Sequence, residues 1–104
     1  MVVMIDAQRS ELESLCRKHH VRRLEVFGSA ADGTFDPERS DLDFLVEYER
    51  LSPAEHYEAY FGLWEDLAAL FGRKIDLVEP HTMRNPYFIR RVNESRRLVY
   101  DAGS

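Results

Sequence analysis

The sequence predicts an α/β domain: a small mixed or antiparallel sheet of three or four strands, packed with helices mainly on one face. Two segments, residues 6–19 and 53–71, carry apolar side chains at helical spacing. Between and after them lie short apolar or alternating runs of strand length, and Gly, Pro, Asn or Asp marks most boundaries. At 104 residues and 44% hydrophobic content, residues 1–104 suit one domain with one core, leaving no room for a separate substrate-recognition domain.

In chain order, Leu12, Leu15, Cys16 and His19 recur at three- and four-residue spacing, which predicts one amphipathic helix over residues 6–19. His19 and His20 close it, where a helix end favours cations. Residues 22–27 form the first strand, with Leu24 and Val26 on one face and Arg23 and Glu25 on the other. It stops at Gly28. Residues 30–40 hold Asp32, Gly33, Asp36 and Pro37 and read as a loop, with one helical turn after Ser29. The second strand covers residues 41–48.

Ser52-Pro53-Ala54-Glu55 is a capping-box helix start, and Gly72 is the matching stop. Tyr57, Tyr60, Phe61, Trp64, Leu67, Ala68 and Phe71 hold one stripe between them, read as the main core face rather than a ligand-stacking surface. KIDLVE, residues 74–79, is a third strand with Ile75 and Leu77 on one face and Asp76 and Val78 on the other. Asn85-Pro86 opens a short helix to residue 93, with Tyr87 packed at its cap, and residues 97–100 make a last strand.

The charge balance narrows the partners. With 19 acidic against 14 basic residues the net charge is −5, which disfavours a nucleic-acid backbone and favours a protein or small molecule. The single cysteine, Cys16, excludes an internal disulfide and a zinc cluster, and reads as a small buried hydrophobe. No apolar run reaches membrane-spanning length and residues 1–6 lack the pattern of a signal peptide, so a cytoplasmic protein is expected.

The carboxylates give the chemistry. Asp41 and Asp43 stand two residues apart on a strand and are expected to project to the same side. Two carboxylates that close repel unless a cation sits between them, and hard oxygen donors suit Mg²⁺. For Asp41 alone, a turn or cap role is the simpler reading. Asp76 is the polar residue inside an apolar strand, expected to be buried and either paired with Arg73 or Lys74 or joined to the metal site. A third carboxylate serves two-metal nucleotidyl transfer and can accept the proton of an attacking hydroxyl. Gly28 lets the backbone approach a ligand, and Ser29 adds a hydroxyl beside amides that bind phosphate.

Gly-Ser, a short loop, Asp-x-Asp on the next strand and a later xIDLV strand resemble the DNA polymerase β-like nucleotidyltransferases. Within them, the small size, VFGSAADGTFDPERSDLDFLVEYE, KIDLVEP and NPYFIRRVNESRRLVYD resemble the minimal nucleotidyltransferases, the MntA-type antitoxins paired with HEPN-domain toxins. The resemblance implies the polymerase β-like fold and Mg²⁺-dependent transfer of AMP from ATP to a tyrosine of a HEPN ribonuclease toxin, with which the chain would form a hetero-oligomer. By matching position, Gly28 and Ser29 would bind the triphosphate. Asp41 and Asp43 would coordinate two Mg²⁺ ions, and Asp76 would complete the metal site and orient or deprotonate the acceptor hydroxyl. The sequence departs from the group twice. Loop 30–40 is one residue longer than usual, and Ala30, Ala31 and Asp32 stand where a basic residue commonly follows the Ser, leaving Arg39 as the nearest substitute. The alternatives are an antitoxin that neutralises by binding alone, and an aminoglycoside-type enzyme acting on a small molecule.

Overall fold

The computed structural model describes residues 3–28 and 41–103, with side chains from Ile5 onward. They form α1 (Val3–Ala7), α2 (Arg9–Lys18), β1 (Val21–Phe27), β2 (Leu42–Tyr48), α3 (Pro53–Phe71), β3 (Ile75–Val78), a 3₁₀ turn (Pro80–Thr82), α4 (Pro86–Ser95) and β4 (Arg97–Asp101). Ser29, Arg39 and the helical turn expected after Ser29 lie outside the described residues.

The strands form one mixed sheet in the order β3-β2-β1-β4. β1 runs antiparallel to both β2 and β4, and β2 runs parallel to β3. Alternation along each strand sorts the side chains onto two unequal faces. On the first, Leu24, Val26, Leu42, Phe44, Val46, Ile75, Leu77 and Val99 pack with Ile5, Leu12 and Cys16 from α1 and α2 and with Leu63 and Leu67 from α3. The second holds a small cluster of Phe27, Leu45 and Val92, the last from α4. Each large apolar side chain taken out of water contributes roughly 1.5–3 kcal/mol, so the first face carries most of the stability. The second face can therefore be polar, and it is the face on which Asp43 and Asp76 emerge.

Several expectations need correction. The single helix over residues 6–19 is two, because the Gln8 amide turns back to the Ile5 carbonyl at 3.2 Å and closes α1 as a separate turn. That break brings Ile5 fully into the core beside Leu12. Cys16 is buried as expected, and burial pushes its thiol up to about 12. His19 does more than end α2: its Nε2 lies 2.6 Å from Asp66 Oδ2, and its ring rests on the backbone of Gly62 in α3.

The capping box of α3 forms as the sequence indicates. The Glu55 amide donates to Ser52 Oγ at 3.2 Å, and the Ser52 amide donates to Glu55 Oε1 at 3.0 Å. The core face of α3 is another matter. Ala59, Leu63 and Leu67 are buried, whereas Tyr57, Phe61 and Trp64 are 67%, 46% and 39% exposed. Of the expected stripe, Leu67 is in the core and Tyr60, Ala68 and Phe71 pack against it, while Tyr60 and Trp64 also reach β3, an edge strand. The Leu42 amide takes the Lys74 carbonyl at 3.2 Å, so the alternate carbonyls of Ile75 and Leu77 point away from the sheet. Trp64 Nε1 donates to the Ile75 oxygen and the Tyr60 hydroxyl to the Leu77 oxygen, each at 3.0 Å. At the start of α4, Asn85 Oδ1 accepts from the Tyr87 amide at 2.9 Å. The Tyr87 side chain does not pack there and is 79% exposed.

Candidate active site

The site begins where β1 ends. Gly28 has φ +72, a left-handed backbone that costs other residues about 1–2 kcal/mol, and it sets the turn out of the strand. Its amide donates to Ser95 Oγ at 2.9 Å, and that hydroxyl donates to the Arg91 carbonyl at 3.0 Å. Ser95, at the end of α4, thereby fixes the turn to the helix.

Sheet register brings the carboxylates in. Phe27 pairs with Asp43 across β1 and β2, and Asp43 pairs with Asp76 across β2 and β3. Gly28 must be a glycine for a second reason: a Cβ there would stand 2.8 Å from Asp43 Oδ2. Gly28, Asp43 and Asp76 line one cleft of about 480 Å³ together with Phe27 of β1 and Arg91 and Ser95 of α4. The edge-to-face contact of Phe27 with Phe88, at 5.8 Å, seats that helix on the sheet.

The expected triad is therefore gathered in part. Asp43 and Asp76 share the cleft with Gly28. Asp41 immediately precedes β2, and its charge acts on Asp43. It is exposed, stands 3.9 Å from Lys74 Nζ and does not line the cleft. Asp76 is exposed rather than buried, because β3 is an edge strand and the second face is uncovered at that point.

Electrostatics single out Asp43. Burial first, then the charges of Asp76 and Asp41, push its carboxyl up to about 6, while Arg91 pulls it the other way. A carboxylate crowded by like charge is relieved by a hard dication, and oxygen donors suit Mg²⁺, so Asp43 and Asp76 fit such an ion. Among the described residues, no three His, Cys, Asp or Glu side chains stand close enough together to hold a metal ion. The fit rests on the pair.

Three features were missed by sequence reasoning. Arg91 and Ser95 belong to a helix whose pattern gives only its apolar face, and Ser95 lies 67 positions from Gly28. Glu25, on the second face of β1, is buried against Arg96, whose Nη2 and Nε donate to it at 2.6 and 2.8 Å. The Arg96 hydrogen bond holds the Glu25 carboxyl below its usual range. That pair clamps the junction of α4 and β4 to the sheet. A lone Glu opposite two core residues in VRRLEVF was the available signal.

A Gly turn, two carboxylates in register on adjacent strands and an arginine in the same cleft make up the candidate site on a mixed α/β sheet. The profile of the nucleotidyltransferase domain family matches residues 9–99, and the chain belongs to that family. It is similar to a Methanocaldococcus jannaschii protein provisionally named a protein adenylyltransferase, at 34% identity over 91% of each chain. A solved structure provisionally described as a minimal nucleotidyltransferase superposes with a TM-score of 0.69 at 31% identity, over 93% of this chain and 95% of that one. The polymerase β-like fold and the minimal nucleotidyltransferase group implied by the sequence are thereby borne out. A chain from the complex of tri-AMPylated Shewanella oneidensis HEPN toxin with MNT antitoxin shares the fold, with a TM-score of 0.61 at 17% identity, over 95% of this chain and 74% of that one. No helix among the described residues is long and apolar enough to cross a membrane.

Proposed function

We propose that this chain, acting as a single cytoplasmic domain over residues 1–104, is a Mg²⁺-dependent adenylyltransferase. It moves AMP from ATP to a tyrosine of a HEPN ribonuclease toxin and so serves as that toxin's antitoxin, in a complex with it and without a nucleic-acid partner. The observation that carries the reading is the register of Asp43 against Asp76 beside the Gly28 turn, in a cleft large enough for a nucleotide. The names of the M. jannaschii relative and of the S. oneidensis complex support the donor and the partner.

In this reading Asp43 and Asp76 hold Mg²⁺, Asp41 joins them from the start of β2, and Gly28 with Ser29 receives the triphosphate. Bound Mg²⁺ would polarise the phosphoryl oxygens and stabilise the charge that develops on them. Asp76, the more open carboxylate, takes the proton of the acceptor phenol as its oxygen approaches. Gly28 brings backbone close to the phosphates without a side chain in the way. The open second face admits an acceptor carried by another protein.

The test is transfer of label from ATP, CTP, GTP or UTP, with Mg²⁺, to a HEPN partner. Wild-type protein is expected to label a partner tyrosine from ATP, and Asp43→Ala/Asp76→Ala to lose about a hundredfold or more of that rate. Asp41→Ala tests whether the residue outside the cleft takes part. One observation favours a second reading, neutralisation by binding alone: Asp41 faces Lys74 rather than the cleft. It would be supported by a partner silenced equally, and without label, by wild type and the double variant. Label on an aminoglycoside would overturn both.

A further inference from the structure

The proposed function leaves one chemical requirement open. A nucleoside triphosphate brings several negative charges to a cleft that already holds Asp43 and Asp76, and in sequence Gly28-Ser29 is followed by Ala30, Ala31 and Asp32 rather than by a cation. From the cleft geometry we infer that Arg91 of α4 supplies that cation, binding the β- and γ-phosphates of the donor nucleotide. This deepens the adenylyltransferase reading and rests on it.

Three observations place Arg91 in that role. It lines the same cleft as the two aspartates, on the second face of the sheet, where α4 packs through Val92. Its guanidinium makes no ion pair or hydrogen bond with another described residue, and its charge acts on Asp43 in the cleft. Its neighbours on the helix are engaged otherwise: Arg90 Nε lies 3.4 Å from Glu94 Oε1, and Arg96 is held by Glu25. The third observation is its mounting. The Arg91 carbonyl accepts from Ser95 Oγ at 3.0 Å, and the same hydroxyl accepts from the Gly28 amide at 2.9 Å. One hydroxyl therefore ties the backbone of Arg91 to the phosphate-facing turn.

The chemistry follows. The acceptor oxygen forms its bond to the α-phosphorus as the bond from that phosphorus to the bridging oxygen breaks, and pyrophosphate leaves with the electron pair. The acceptor proton goes to Asp76. Charge therefore gathers on the β-phosphate during the reaction, and a planar guanidinium binds phosphate oxygens in pairs through a fork of N–H groups. Arg91 thus serves donor affinity and departure of pyrophosphate together. Lysine, a point charge, would replace it only in part.

The experiment measures ATP and AMP binding to the full chain in Mg²⁺, by titration calorimetry, for wild type, Arg91→Ala and Arg91→Lys, with the melting midpoint of each as a folding control. Arg91→Ala is expected to weaken ATP roughly ten- to a hundredfold, the range for a charge-assisted hydrogen bond, while AMP binding stays the same. Arg91→Lys should recover part of the ATP affinity. ATP binding unchanged in Arg91→Ala, or ATP and AMP weakened by the same factor, overturns the assignment and leaves the adenylyltransferase reading standing. A wild-type protein that binds no ATP overturns both.

Discussion

Gly28 and Gly72 share a left-handed backbone, φ +72 and +64, but only Gly28 faces another side chain. A Cβ at Gly72 meets nothing within 4 Å, whereas at Gly28 it would press on Asp43 Oδ2. Either change to alanine should cost about 1–2 kcal/mol of stability from the backbone alone. Gly28→Ala should in addition reduce nucleotidyl transfer at least about tenfold by displacing the carboxylate, while Gly72→Ala transfers normally. Melting curves beside a transfer assay separate the two effects, and equal activity in both variants would show that Asp43 tolerates displacement. Spacing alone pointed to Gly28, Asp43 and Asp76, because strand ends and strand alternation are local properties. Asp41 stands one residue before β2 and outside the cleft lining, with its charge still acting on Asp43. Spacing gave nothing for Arg91 or Ser95, which reach the site through the packing of a distant helix.

At the scale of elements, the edge strand explains the aromatic stripe of α3. Helical periodicity identified Tyr57, Tyr60, Phe61 and Trp64 as one stripe, but a period of 3.6 does not say what that stripe faces. The small residue Ala59 and the leucines Leu63 and Leu67 went inward, and Tyr60 and Trp64 reached β3, where a phenol and an indole find carbonyls to bond. Tyr60→Phe/Trp64→Phe keeps most of the apolar contact and removes the Tyr60 hydroxyl and the Trp64 indole N–H. It should lower stability by about 1–2 kcal/mol, read from urea unfolding, and raise self-association at high concentration, read from sedimentation. A double variant as stable and monomeric as wild type would mean that water satisfies those carbonyls equally well. The capping box, Gly72 and Asn85 were legible because each is a local exchange of hydrogen bonds. The break at Gln8 was not, because no Pro or Gly marks it.

For the whole molecule, the site is held against its own electrostatics. The Asp43 carboxyl titrates near 6 in the fold against 3.8 for a free side chain, so between those values the native state binds more protons than the unfolded one. Stability from this group is present at low pH and is lost as pH rises from about 4 to about 6, a loss of about 1 kcal/mol at neutral pH once solvent screening is allowed for. Asp43→Asn should therefore melt higher than wild type at pH 7 in EDTA and lose that advantage at pH 4. Adding Mg²⁺ at pH 7 should stabilise wild type and leave the variant nearly unmoved. An Asp43→Asn variant less stable at both pH values would show that its carboxylate is structurally supported rather than crowded.

The bonds from Tyr60 and Trp64 have one more effect, on what can approach the protein. A strand ladder needs donors and acceptors in alternation, and both outward acceptors of β3 are occupied. A visiting chain that extended the sheet along β3 would have to displace those two bonds or share their acceptors. Edge-on pairing at β3 is thereby disfavoured, while the cleft lined by Gly28, Asp43 and Asp76 is left open.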